Sequence, residues 1–389
     1  MNIIYLGCNG FPYGFAEVQK QKMVSKALVK AGAAVTIINA KGIFSKKDHP
    51  DIPYKGKIEQ INYVYTSFYA YKPANFIFRN GIKVLGKISE VFHILALRKR
   101  KQKNVAILST QNSYALIYYY YLLRLAGYKI VLSYEEFVKD INAGKNKSGL
   151  HLKFDDIAHR YSDAIIPISV FLEDYQKKIN PNVSLFRIPA LTDFNKVDAI
   201  VAADKLNTNI LFCGASAYFE NISFIIDAFN KVKNVAVDLV LIIHGNAVQN
   251  QRVHNYIGQS AKKNSIKVLS NLSNEELFKA YKQAGLLLIP LKPYQRDIAR
   301  FPHKIAEYTA SKTPIVTTAV GEISRYFTDG QNAFVATEYD VAAFASKIEE
   351  GLNNRALSDK IARQAYQLGR QNFHYETIAG RLFTFLADI

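Results

Sequence analysis

A chain of 389 residues, 49 % hydrophobic and 21 % charged, is long enough for two domains of ordinary size and apolar enough to give each a core. No apolar run reaches the roughly 18 residues that a spanning helix needs, two cysteines (Cys8 and Cys213) exclude a disulfide framework, and a net charge of +18 argues for an anionic partner. That charge is uneven: residues 1–190 hold 28 Lys and Arg against 13 Asp and Glu, whereas residues 191–389 hold 22 against 19, so the first half is where nucleic acid or an anionic membrane surface would be met.

Met1 leads directly into an apolar strand, Ile3–Leu6, without a basic n-region or a cleavage site, so no signal peptide is expected and the setting reads as reducing and cytoplasmic. The loop Gly7–Gly14 follows, then a helix over 16–31 closed by Gly32. Val35–Ile38, Val105–Leu108, Lys129–Ser133 and Ala164–Ile168 are further short apolar strands with helices between them. The second half starts again with Asn209–Gly214 and continues with Leu239–Ile243, Ile266–Leu269, Leu286–Ile289, Ile315–Thr318 and Ala333–Val335, with helices near 221–231, 274–283 and 340–352. Short apolar strands alternating with helices predict parallel sheets covered on both faces. The fold class is α/β: two doubly wound, Rossmann-like domains facing across a cleft, the first over 1–190 and the second over 191–370. Pro189 to Asp198 forms the linker. The C-terminal helices, from about 355, are candidates to return to the first domain, with 371–389 as the returning segment. Ligands are expected beyond the carboxyl ends of the strands, between the domains.

Within residues 76–103, Ile82, Leu85, Ile88, Phe92 and Leu95 fall at helical spacing, Lys83 and Lys87 lie between them, and Arg98-Lys-Arg-Lys-Gln-Lys103 closes the segment. Two readings are open: a helix facing the core, or one docking on anionic headgroups with help from Tyr69, Tyr71, Phe76 and Phe78. No RNA-binding signature accompanies the basic residues, so nucleic acid is not the expected partner. The Tyr118–Tyr121 run lies inside a helical pattern and reads as packing.

The most informative stretch is Arg300-Phe-Pro-His-Lys-Ile-Ala-Glu-Tyr-Thr-Ala-Ser-Lys-Thr-Pro-Ile-Val, which leads to a Gly321-Glu322 turn. Pro302 suits the first turn of a helix. Lys304 and Glu307, three residues apart, share a face of that helix. A cation for phosphate beside a carboxylate for sugar hydroxyls suits a nucleotide-sugar; a surface ion pair on an amphipathic helix is the plainer alternative. This segment resembles the donor-site motif of family 4 retaining glycosyltransferases, which have the GT-B fold. The resemblance rests on Phe301, Pro302, Lys304, Ile305, Glu307, Tyr308, Ala310, Ser311, Pro314, Ile315 and Val316. Lys312 stands where the family usually has glycine.

Smaller matches follow the family order. Gly14 ends the first loop. Gly214 closes the first strand of the second half, Gly245 follows His244 in a strand-then-glycine turn, and Ser270 lies in the segment whose backbone reads the base. Three departures matter. Ala215 and Glu220-Asn221 replace two phosphate cations, and Ala299 replaces an earlier glutamate that contacts the sugar, for which Asp297 is a possible substitute. On this resemblance Lys304 and Arg300 hold phosphate, Glu307 holds ribose, Gly14 and Gly214 allow close approach, and Gly245 lies in a turn near the nucleotide. Many family members have a histidine after the strand equivalent to Val105–Leu108 or Ile130–Ser133; here Glu135 follows the latter, either as a cleft carboxylate facing the reacting sugar or as a solvated strand-end charge. Lys304, Glu307 and Glu135 are thus the candidate catalytic residues. Asp193, in an interdomain motif, is equally a helix cap, and Ser273 with Glu276 reads as a capping box.

No metal-ligand spacing exists among the histidines and cysteines, and neither metal nor cofactor is expected. The implied function is transfer of a sugar from a nucleotide diphosphate-sugar to a lipid-linked or glycan acceptor in bacterial surface polysaccharide synthesis. The implied location is cytoplasmic, peripheral on the inner face of the membrane. A nucleotide-sugar epimerase on the same fold, and a non-catalytic membrane-associated partner that lost its cations, are the alternatives.

Overall fold

The computed structural model of the chain describes residues 1–14, 16–46, 51–141, 149–203, 209–233 and 236–389. They form two units: residues 1–191 with 375–389, and residues 192–374. The first unit holds β1 (Asn2–Leu6), β2 (Ala34–Asn39), β3 (Lys55–Ile58), β4 (Ile61–Tyr65), β5 (Asn104–Ser109), β6 (Lys129–Tyr134), β7 (Ala164–Pro167) and β8 (Ser184–Leu185). Their order across the sheet is β3-β4-β2-β1-β5-β6-β7-β8, and only β3 and β4 run antiparallel. Every residue of β1 and β5 is buried, which is why these strands read as continuous apolar runs.

Helix α1 (Ala16–Lys30) follows β1 and ends on Gly32, at φ +89. There the Ala33 N–H returns to the Leu28 carbonyl at 2.9 Å, the closure that a left-handed glycine makes possible. The C-terminal segment contributes Ile378, Leu382 and Leu386 to the core that holds Val24 and Leu28 of α1. Gly7 leaves β1 at φ +99, and a Cβ there would lie 2.0 Å from the Ser109 carbonyl oxygen. Both the backbone conformation and the close approach therefore require glycine. Gly7→Ala is expected to cost more than about 3 kcal/mol, measured as a lowered urea midpoint; a midpoint within experimental error of wild type would refute this.

The second unit holds β9 (Asn209–Ala215), β10 (Asp238–His244), β11 (Ile266–Leu269), β12 (Leu286–Ile289), β13 (Ile315–Thr318) and β14 (Phe334–Ala336). They are ordered β11-β10-β9-β12-β13-β14 and all paired parallel. The Asn274–Gln283 helix starts on the Ser273–Glu276 capping box read from the sequence. The Ala247–Gly258 helix, which the sequence reading does not anticipate, starts on a second such box, Asn246 with Gln249, and buries only Val253 and Ile257. Asp193 caps the Phe194–Ala199 helix by accepting the Lys196 N–H at 3.1 Å. The Arg355–Asn372 helix stays with this unit: Gly369 packs so tightly on Thr309 that a Cβ would meet its side chain at 2.4 Å.

Candidate functional site

In the second unit the strand order reverses between β9 and β12, and in open α/β sheets ligands collect beyond the carboxyl ends at such a point. The Lys304–Ala310 helix brings its pair there. Lys304 Nζ lies 2.8 Å from Glu307 Oε2. The buried Tyr281 hydroxyl approaches the same oxygen at 3.4 Å. Beneath them the Tyr308 hydroxyl accepts the Cys213 N–H at 3.0 Å, and the rings of Tyr281 and Tyr308 meet edge to face at 5.0 Å. This floor ties the helix to the end of β9. Burial alone would lower the Lys304 pKa, but the adjacent Glu307 carboxylate and Cys213 outweigh it and hold the ammonium well above its usual value. His244, at the end of β10, is lowered by burial and then by Lys304. Its proximity to Lys304 carried no sequence signal beyond its place before Gly245.

The helix begins two residues later than the sequence suggested. His303 occupies the cap position without a side-chain cap bond, and Pro302 precedes it, its carbonyl accepting the Ile305 N–H at 3.1 Å. Lys312 takes φ +57, the conformation for which glycine is favoured; its Nζ pairs with Asp198 at 2.8 Å and lies 4.4 Å from the Tyr366 ring centroid. Gly321, at φ +56, lets the Gly-Glu turn press on Ile298, whose Cα would be 2.9 Å from a Cβ there.

The loop after β9 lacks its own cations, but the fold gathers others around it. The Phe219–Lys231 helix starts at Tyr218 without a side-chain cap bond. The Arg300 guanidinium lies 4.7 Å and that of Arg296 5.7 Å from the Tyr218 ring centroid, and Arg252 sits 3.8 Å over Phe219. Lys292 Nζ meets Glu220 Oε2 at 2.6 Å and, chiefly by that hydrogen bond, lowers the Glu220 carboxyl. Asp297 is fully buried. It holds Arg300 at 2.8 Å and Arg296 at 3.4 Å through Oδ1, and accepts the Lys292 N–H at 2.9 Å through Oδ2. Both its oxygens are engaged within the fold, so it is a clamp for the cations rather than a substitute for the glutamate missing at Ala299.

The other sequence candidates are distributed between the units. Gly214 packs on the Phe212 ring, Gly245 on Ser216 of the neighbouring loop, and Gly14 on Val18. Ser270 is exposed just beyond β11. Glu135 belongs to the first unit, at the end of β6, where it accepts the Ser133 hydroxyl at 3.1 Å and lies 3.5 Å from Lys20 Nζ.

Also in the first unit, α2 (Phe76–Leu97) buries only Gly86, Ser89, Glu90 and Ile94. The Tyr119 hydroxyl on α3 (Ser113–Leu125) holds Glu90, and the Tyr128 hydroxyl holds the Ile94 carbonyl at 3.0 Å. The apolar stripe therefore points outward. Ile77 is 81 % exposed, Phe92 66 % and Leu85 49 %, with Ile88 and Leu95 also exposed. This overturns the core-facing reading of the helix, because its fixed face is the small and polar one. Of the tyrosine run only Tyr119 is buried; Tyr118 and Tyr121 are exposed, as is Leu125 beyond them. Among the described residues no helix is long and apolar enough to cross a membrane, and no group of three His, Cys, Asp or Glu could hold a metal ion.

Residues 193–368 match the family described as Glycosyl transferases group 1. No curated protein matches the chain. Among solved structures, sucrose-phosphate synthase from Thermosynechococcus elongatus is similar at 14 % identity and a TM-score of 0.77, over 100 % of this chain and 98 % of that one. HepE of Anabaena, in complex with UDP-glucose, is similar at 16 % identity and 0.72, over 100 % of both. A trehalose-6-phosphate synthase, OtsA, is similar at 11 % identity and 0.70, over 100 % and 99 %. The whole chain thus has the GT-B fold, and with a glycosyl transferases group 1 domain over residues 193–368 the protein is a glycosyltransferase.

Proposed function

We propose that this glycosyltransferase is a retaining enzyme of family 4 type. It moves a sugar from a nucleoside diphosphate-sugar to a lipid-linked or glycan acceptor in bacterial surface polysaccharide synthesis, on the cytoplasmic face of the membrane. The observation that carries the donor assignment is the Lys304–Glu307 pair, 2.8 Å apart at the carboxyl end of the second sheet. Glu307 accepts the ribose hydroxyls. Lys304 and Arg300, with Arg296 beside them, take the charge of the departing diphosphate, so that the chain's own cations act where a resident metal could. That HepE was solved with UDP-glucose makes a uridine donor the first to try. Calorimetry with UDP, GDP, ADP and CMP tests the reading. One nucleoside diphosphate is expected to bind well above the others, and binding by none would refute the assigned donor site.

The membrane part rests on α2, whose outward apolar side chains are accompanied by Lys83, Arg79 and the basic residues after Leu97. The triple substitution Ile77→Ser, Leu85→Ser, Phe92→Ser is expected to leave thermal stability unchanged. It should weaken sedimentation with phosphatidylglycerol vesicles at least about 100-fold, since each buried aliphatic side chain contributes roughly 1.5 kcal/mol. Unchanged vesicle binding would remove α2 from the membrane.

A further inference from the structure

The first unit has its own reversal of strand order, between β1 and β5, and the donor reading leaves it unused. Ser109 ends β5, and its register partner on β6 is Ser133. Each hydroxyl holds one carboxylate: Ser109 Oγ donates to Glu17 Oε1 at 2.7 Å, and Ser133 Oγ to Glu135 Oε1 at 3.1 Å. Neighbouring strands run about 4.8 Å apart, so the two serines stand side by side at the end of the sheet, each with a carboxylate within 3.1 Å of its hydroxyl. Glu17 is exposed and Glu135 keeps part of its side chain open.

Beneath them lies Lys20, whose side chain is fully buried. Its Nζ pairs with Glu135 Oε1 at 3.5 Å, a long contact, and has no other hydrogen-bond partner among the described residues. Burial lowers its pKa against the opposing pull of Glu135, Glu17 and Glu136. An ammonium with one long carboxylate contact keeps further N–H donors to offer, and because its side chain is fully buried a ligand oxygen reaches them through a water. Three carboxylates around one ammonium also make this spot anionic in a chain of net charge +18, which disfavours a phosphate or carboxylate there.

We propose that Glu17 and Glu135, over the Lys20 ammonium, bind hydroxyl groups of an uncharged acceptor sugar, and that this site rejects an acceptor residue carrying its own negative charge. Each sugar hydroxyl donates to a carboxylate, and one accepts from a water held by the ammonium. This assignment rests on the glycosyltransferase reading.

The test is saturation-transfer NMR on the full chain with the methyl glycosides of glucose, galactose, mannose and N-acetylglucosamine, and with methyl glucuronide as the charged counterpart. At least one neutral glycoside is expected to bind wild type. Glu17→Gln and Glu135→Gln, which keep size and remove charge, should each weaken it at least about tenfold, and the glucuronide should not bind. The proposal is overturned if no neutral glycoside binds, if both variants bind it as wild type does, or if the glucuronide binds equally well. Calorimetry with nucleoside diphosphates on the same samples separates the two readings. Both variants should keep nucleotide affinity, and loss of nucleotide binding by wild type with glycoside binding intact would refute the donor assignment alone.

Discussion

Glu307→Ala is expected to weaken nucleoside diphosphate binding by about 100-fold while the protein stays folded. A carboxylate that accepts two ribose hydroxyls makes charge-assisted hydrogen bonds of roughly 1.5–3 kcal/mol each, and a loss of about 2.7 kcal/mol corresponds to that factor. The fold should tolerate the change, because Glu307 is not in the core and Lys304, its partner at 2.8 Å, keeps 28 % of its side-chain surface in solvent. Glu307→Gln, which retains one acceptor oxygen, should cost about tenfold. Lys304→Met should be at least as damaging as Glu307→Ala, since it removes the cation nearest the diphosphate and leaves Glu307 facing it. Calorimetry with the preferred nucleotide reads all three. Wild-type affinity in Glu307→Ala would mean that the pair is a surface ion pair and that the donor lies elsewhere.

That pair was legible in the sequence because it is local: two residues at i and i+3 share a helix face wherever the helix forms. The strands were legible for a related reason, since burial on both faces leaves an unbroken apolar run. The β3–β4 hairpin was not. Its turn is made by Glu59 and Gln60 at φ +49 and +67, without the glycine or asparagine that usually marks such a turn. The cation cluster was not legible either. Arg252 comes from a segment remote from Arg296 and Arg300 and joins them at Tyr218 and Phe219 by stacking, a meeting that no sequence spacing records. For α2, periodicity revealed an apolar stripe but not its direction. That was decided by Glu90, a charged residue kept inside by the Tyr119 hydroxyl of a different helix.

The same cluster makes Asp297 the residue on which stability and donor binding converge. Asp297→Ala is expected to destabilise the second unit by about 3–5 kcal/mol, the range for removing one partner of a buried ion pair. Arg300, with 12 % of its side chain exposed, would lose its carboxylate, and the Lys292 N–H would lose its acceptor. Asp297→Asn keeps an acceptor for that N–H but gives up the charge, so roughly 1–3 kcal/mol is expected. Urea unfolding followed by both far-ultraviolet circular dichroism and tyrosine fluorescence reads these losses, two probes being needed because two units need not unfold together. In the folded fraction nucleotide affinity should also fall, because Arg296 and Arg300 would no longer be held over Tyr218. If Asp297 were instead a direct contact to the donor sugar, its substitution would leave the urea midpoint unchanged and alter only which nucleotide-sugar is accepted. A stable Asp297→Ala with changed donor preference would therefore return to Asp297 the sugar-binding role that its buried ion pairs argue against.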